Sequence, residues 1–318
     1  MTKAILKTIL FSFLILASCA AINWIIIPNN PNAYQAAKID KLDMLQKTGS
    51  PKIVLVGGSN LAFSIDSELL ANEFGMPVVN MGLAKSVGLQ YLLEESRPFI
   101  QSGDVVIVAL EYEMFYDLYF GSDGLVVELQ YVPDGFKHLK SWGQYKMFAS
   151  KFGPIMQAKF TGFIRKGTGS LVDDIYRRNG FNTYGDLITH LDAEPKYSTH
   201  ELFENNEPFH DESIELLNEF YQDMLRIGAR VVMTAPPLVE TEFTKHRDKI
   251  DDLYARLREN LSLPVISDPG DYVYPPRMMF DTAYHLLREG RRARTYQLLN
   301  DLVKTNGIGF GGLRGDQV

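Results

Sequence analysis

Five short apolar runs recur along the chain: KIVLVG (52–57), PVVNMG (77–82), DVVIVALE (104–111), RVVMTAPP (230–237) and PVIS (264–267). Each is closed by turn or polar residues and is short enough for a strand buried on both faces. Between them the apolar spacing becomes helical, over 66–75, 86–101, 212–227, 243–260 and 289–304. Strands alternating with helices predict an α/β fold, a doubly wound three-layer α/β/α arrangement on a five-stranded parallel sheet. Its ligand site is then expected beyond the carboxyl ends of the strands. The sheet domain is expected to comprise 52–111 and 212–304.

Residues 112–211 break the alternation, and a structureless connection of that length does not fit inside a compact domain. The segment carries half of the chain's aromatic residues, enough to furnish packing of its own. It is expected as an inserted cap over the carboxyl edge of the sheet. Within it, QYKMFASKFGPIMQAKFTGFIRK places Tyr145, Phe148, Phe152, Met156 and Phe160 near helical spacing, with lysines between and a break expected at Pro154. That face suits either the core side of the cap or a membrane-surface or partner-docking side. Residues 29–51, after Pro28 in PNNPN, read as a linker ending in a short amphipathic stretch, and glycine-rich 305–318 as a flexible tail.

At the N-terminus, Lys3 and Lys7 precede TILFSFLILASCAAINWIII, twenty residues without a charge. That length suits a single membrane-crossing helix, with Trp24 near its far interface. Residues 1–28 are therefore expected as an anchor or signal segment, and the retained lysines place the body outside the cytoplasm. Leu16-Ala17-Ser18-Cys19 also matches a lipoprotein cleavage box, so lipidation of Cys19 is the alternative tether. A net charge of −7 argues against a general nucleic-acid binder. The single cysteine rules out an intrachain disulfide and a thiolate metal cluster, and no HExxH occurs, so no metal or organic cofactor is expected.

The first run ends in Gly57-Gly58-Ser59-Asn60. No lysine follows as in a P-loop, and neither GxGxxG nor the GxSxG elbow is present. What remains is a serine held at the end of the first strand. A nucleophilic serine needs a base, and of the six histidines His285 is placed for it, after the last strand in FDTAYHLLREG with Asp281 four residues earlier. Ser59, His285 and Asp281 thus form a candidate relay, with Asp268 and Asp271 as alternative acids. The plainer roles are a helix cap for Ser59, a turn cap for Asp281 and a turn glycine for Gly82.

With GGSN, VVNMGLA and FDTAYHLLREG in place, the chain resembles the SGNH/GDSL hydrolase superfamily, most closely its divergent membrane-anchored branch associated with acylation of cell-surface polysaccharides and teichoic acids. The resemblance implies Ser59 as nucleophile, His285 and Asp281 as base and acid, and an oxyanion hole from the N–H groups of Ser59 and Gly82. It departs at the third strand, where ALEYEMFY has Glu111 and Tyr112 in place of a glycine and an asparagine, and in its D-x-x-x-H spacing. Asn60 is the nearest replacement donor and Asn80 the second, while a carboxylate at Glu111 would repel an oxyanion unless protonated or turned away. The implied function is an extracytoplasmic serine esterase or O-acyltransferase acting on O-acyl groups of a cell-surface glycan. The alternative is a non-catalytic accessory subunit that binds a membrane-bound O-acyltransferase or a glycan.

Overall fold

The structure, a computed structural model, describes residues 2–21, 29–166, 173–197, 202–203 and 208–305. Helix α1 (Thr2–Ala21) is followed by α2 (Ala37–Lys47), β1 (Ile53–Gly57), α3 (Ser59–Ser64), α4 (Ser67–Phe74), β2 (Val78–Asn80), α5 (Leu89–Ser96) and β3 (Val105–Ala109). Then come α6 (Asp123–Tyr131), α7 (Trp142–Lys166), α8 (Glu212–Arg226), β4 (Arg230–Met233), β5 (Leu238–Val239), α9 (Glu240–Asn260), β6 (Val273–Tyr274) and α10 (Arg288–Lys304). β2, β1, β3 and β4 pair in that order, all parallel, with Ile53 opposite both Val78 and Val105. β5 and β6 form a separate parallel pair.

Because successive strand residues point to opposite faces, the buried strands divide between two packing layers. Val54, Val56, Val106 and Val108 meet Leu92, Leu217, Phe220 and Leu253 of α5, α8 and α9. Ile53, Leu55, Val105 and Ile107 meet Leu61, Leu70, Leu298 and Leu302 of α3, α4 and α10. Helices therefore cover both faces. Burying each such aliphatic side chain contributes about 1.5–3 kcal/mol, which fixes the strand ends that carry the site.

Among the described residues the sheet has four strands, not the expected five. Val265 of PVIS reaches Met233 through a single parallel bridge. Pro264 has no N–H to extend the ladder, and the Ser267 hydroxyl takes the Ala235 N–H at 2.6 Å where a strand carbonyl would have been.

Residues 29–51 are not a linker. Tyr34, Lys38, Lys41 and Leu45 are buried, Lys38 against Glu95 at 2.7 Å and Glu128 at 3.3 Å. Lys41 donates to the carbonyls of Asn80 (2.7 Å) and Gly185 (2.5 Å). Both lysines are matched by acceptors distant in sequence.

Residues 112–211 do not pack only on themselves: Tyr112, Phe115, Leu125, Leu129 and Leu139 belong to the main core. α7 continues through Pro154, whose exposed position leaves the carbonyl it frees on the solvent side.

Among the described residues no helix is long and apolar enough to cross a membrane. Residues 22–28, the far part of the uncharged run, and 306–318, nearly all of the expected tail, lie outside the described residues.

Candidate active site

The turn after β1 explains its two glycines. A Cβ on Gly57 would lie 2.1 Å from the Ala109 carbonyl oxygen of β3, and one on Gly58 would lie 2.5 Å from both Glu111 carboxylate oxygens and 2.7 Å from the Lys85 nitrogen. Backbone approaches this close admit only glycine. Glu111 accepts hydrogen bonds from the N–H groups of Gly58 (3.1 Å) and Asn60 (2.9 Å), gripping the turn from below. Burial raises its carboxyl above the usual range, opposed by the Asn60 N–H and by Lys85. From the other side, fully buried Arg294 donates to the Asn60 carbonyl (2.7 Å) and to Asn60 Oδ1 (2.8 Å). Burial lowers this guanidinium to about 10, and among the described residues no carboxylate pairs with it directly. Clamped on both flanks, the turn presents Ser59 half-buried at the start of α3.

The base lies across the same pocket. His285 stacks on Phe63, with ring centroids 3.7 Å apart and planes within 4°. Its Nδ1 meets Asp281 Oδ1 at 2.8 Å. Tyr176 donates from Oη to Asp281 Oδ2 at 2.6 Å and lies 3.3 Å from His285 Nδ1. Burial works to raise Asp281, but the His285 and Tyr176 contacts outweigh it and hold the carboxyl below its usual value. Burial depresses His285 below 6.5, against the pull of Asp281. The ring therefore stays neutral and able to accept a proton at neutral pH, with Nδ1–H directed to Asp281 and Nε2 left as the acceptor. Burial also raises the Tyr176 phenol, helped by its bond to Asp281. Behind the ring, burial drives His190 down to about 4; its Nε2 donates to the carbonyls of Phe63 and Leu286.

Ser59 and His285, with Tyr34, Leu83, Ala84, Asp173 and Tyr176, line one pocket of about 450 Å³. The expected trio is thus brought together at the carboxyl edge of the sheet. Ser59 and His285 are not hydrogen-bonded to each other among the described contacts.

Several expectations need correction. The Asn60 side chain turns into the protein, donating to the Ala109 carbonyl at 2.9 Å and accepting from Arg294, so it is no oxyanion donor. The Gly82 N–H is bound to Asn80 Oδ1 at 3.0 Å. That glycine instead permits close packing, since a Cβ there would sit 2.5 Å from Leu61 Cβ. Asn80 is held by Leu61 and Asp186. Asp268 pairs with Arg258 at 2.9 Å and caps Gly270, and Asp271 is exposed, so neither serves His285.

Three residues of the site were not anticipated in their roles. Tyr176 lies in the long insertion with no motif around it. Glu111 does not face the oxyanion but binds the turn itself. Arg294 sits in a helix rich in arginines, and its bonds to Asn60, rather than its burial, which Arg291 shares, distinguish it. Among the described residues no group of three or more His, Cys, Asp or Glu side chains is positioned to hold a metal ion. A scan against protein-family models gives no match, and a search of curated proteins gives no significant match.

Proposed function

We propose that this chain is an extracytoplasmic serine esterase or O-acyltransferase of SGNH/GDSL type, tethered to the membrane by residues 8–27 and acting on an O-acyl group of a cell-surface glycan. One observation carries this reading: Ser59 shares a pocket with His285, whose ring is oriented by Asp281 and Tyr176. Ser59 Oγ attacks the acyl carbon while His285 Nε2 takes its proton, and Asp281 stabilises the imidazolium so formed. The proton then passes to the leaving alkoxide, and water or a sugar hydroxyl resolves the acyl-enzyme. With the N–H groups of Gly58 and Asn60 bound to Glu111, that of Ser59 is left for the oxyanion, joined by a peptide N–H of Leu83 or Ala84 on the pocket wall. In unliganded hydrolases the nucleophile–base contact is often loose and tightens on substrate. Asn30, Gln35 and Asp173 beside the rings of Tyr34 and Tyr176 suit the hydroxyls and apolar face of a sugar.

The tether rests on α1, where nine large apolar side chains from Ile5 to Leu16 are exposed rather than packed on the body. Cys19, also exposed on α1, is the alternative point of lipid attachment. A second reading, an accessory subunit that binds a membrane-bound O-acyltransferase or a glycan without turnover, is favoured by the bound Gly82 N–H and by the lack of a Ser59–His285 hydrogen bond among the described contacts.

The test is release of the acyl group from short-chain aryl esters by the full chain in detergent. The esterase reading requires hydrolysis that is lost in Ser59→Ala and in His285→Ala. Equal rates in wild type and Ser59→Ala would reject it.

A further inference from the structure

α7 carries Lys146, Lys151, Lys159, Arg165 and Lys166 and no acidic residue, in a chain whose net charge is −7. One face packs inward, with Met156 buried and Phe148, Phe152 and Ile155 half-buried. At 3.6 residues per turn, Trp142, Ala149, Gly153, Phe160 and Ile164 fall on a neighbouring stripe about 60° wide. All five are exposed, Trp142 by 71% and Ile164 by 66%. The outward side of a helix on a globular body ordinarily carries polar residues there. Aromatic and apolar residues exposed along one stripe, with Lys146 at its edge and no acidic residue on the helix, are the composition of a helix lying in a membrane interface.

Position supplies the independent support. Lys159 Nζ donates to Asn29 Oδ1 at 2.8 Å, and Asn29 Nδ2 donates to the Gln130 carbonyl of α6 at 2.8 Å. Asn29 follows the uncharged run, which ends at Ile27, by one intervening residue. The chain is thus fastened to α7 where the tether would leave the bilayer. We infer that α7 lies on an anionic phospholipid surface, with its aromatic stripe in the headgroup region and Lys146 against the phosphates. This rests on the tether reading above. The pocket-lining residues Asn30, Ala33, Tyr34 and Gln35 follow Asn29 closely along the chain, which ties the site to the same point of attachment.

The chain contains two tryptophans, Trp24 in the tether and Trp142 on α7, so each can be read alone. Full-length protein bearing Trp24→Phe is reconstituted in vesicles of phosphatidylcholine and phosphatidylglycerol containing lipids brominated near the headgroup or near the bilayer centre. A helix seated about 5–10 Å deep predicts roughly twofold quenching of Trp142 by the shallow bromines and little by the deep ones. Lys146→Glu in the same background should reduce that quenching at least by about half. Protein bearing Trp142→Phe reports the tether through Trp24. If Trp24 is quenched and Trp142 is not, the tether stands and the surface role of α7 falls, leaving that face to a protein partner. If neither is quenched, both fall. Quenching of Trp142 that is undiminished in the Lys146→Glu protein would refute the anionic-lipid contact.

Discussion

Replacing Glu111 with glutamine tests how the nucleophile turn is held. The fully buried carboxylate accepts from Gly58 N–H at 3.1 Å and from Asn60 N–H at 2.9 Å. Glutamine offers one oxygen in the same space, and its NH₂ faces the second N–H. One buried donor then goes unsatisfied at about 1–3 kcal/mol, and the surviving bond loses its charge-assisted strength. Relief of the buried anion's desolvation offsets part of this, so a net loss of about 2 kcal/mol is expected. Urea denaturation of the full chain in a mild detergent, followed by circular dichroism, reads it directly. Gly58→Ala attacks the same contact from the opposite side, because its Cβ would meet both carboxylate oxygens at 2.5 Å. Overpacking of that kind costs about 1–3 kcal/mol. Combined with Glu111→Ala, Gly58→Ala should cost less than it does alone, by about 1 kcal/mol, since the oxygens are gone while the Lys85 nitrogen remains. A wild-type urea midpoint for Glu111→Gln, or strict additivity of the Gly58 and Glu111→Ala changes, would refute the clamp.

The acid limb of the acylation rate should inflect below pH 6.5, because burial depresses His285 and the rate falls only as pH drops through that lowered value. An inflection above 6.5 would contradict the buried neutral ring. Tyr176→Phe removes the 2.6 Å bond to Asp281 while leaving Ser59 untouched, and acylation is expected to slow about 10-fold with the urea midpoint little changed. Glu128, facing Lys38 together with Glu95, is raised to about 8, primarily by burial. Because the folded state then holds a proton that the unfolded state releases above 4.5, stability should decline as pH rises from about 4.5 to 8. Glu128→Gln should flatten that part of the decline and lie within about 1 kcal/mol of wild type at low pH within that window, as checked by urea titration across it.

The parallel strands and helices were legible because unbroken apolar runs and helical spacing are local properties. α8, expected over 212–227, occupies 212–226, and α10, expected over 289–304, occupies 288–304. Ser59, Asp281 and His285 were legible as a group because strand ends of a parallel sheet share one edge. What escaped depends on partners far along the chain. Asn60 looked like a donor beside the nucleophile, but its amide is held by Arg294, 234 residues later. Residues 29–51 were expected as a linker ending in an amphipathic stretch, yet Glu95, Glu128, Asn80 and Gly185 receive Lys38 and Lys41 inside the protein. Val265 was expected in a fifth full strand, yet the flanking Pro264 and Ser267 reduce its pairing to one bridge. Tyr176 had no signal, because a lone tyrosine in an aromatic-rich insertion is indistinguishable from a packing residue.

The central claim is that Ser59 is a nucleophile activated by His285. The most direct measurement is reaction of the full chain with a fluorophosphonate, followed by mass analysis of the intact protein and of the peptide spanning the turn after β1. The account predicts a single adduct on Ser59, absent in Ser59→Ala and formed at least 10-fold more slowly in His285→Ala, as expected when the general base is lost. An unmodified wild-type chain, or an adduct that persists in Ser59→Ala, would contradict it.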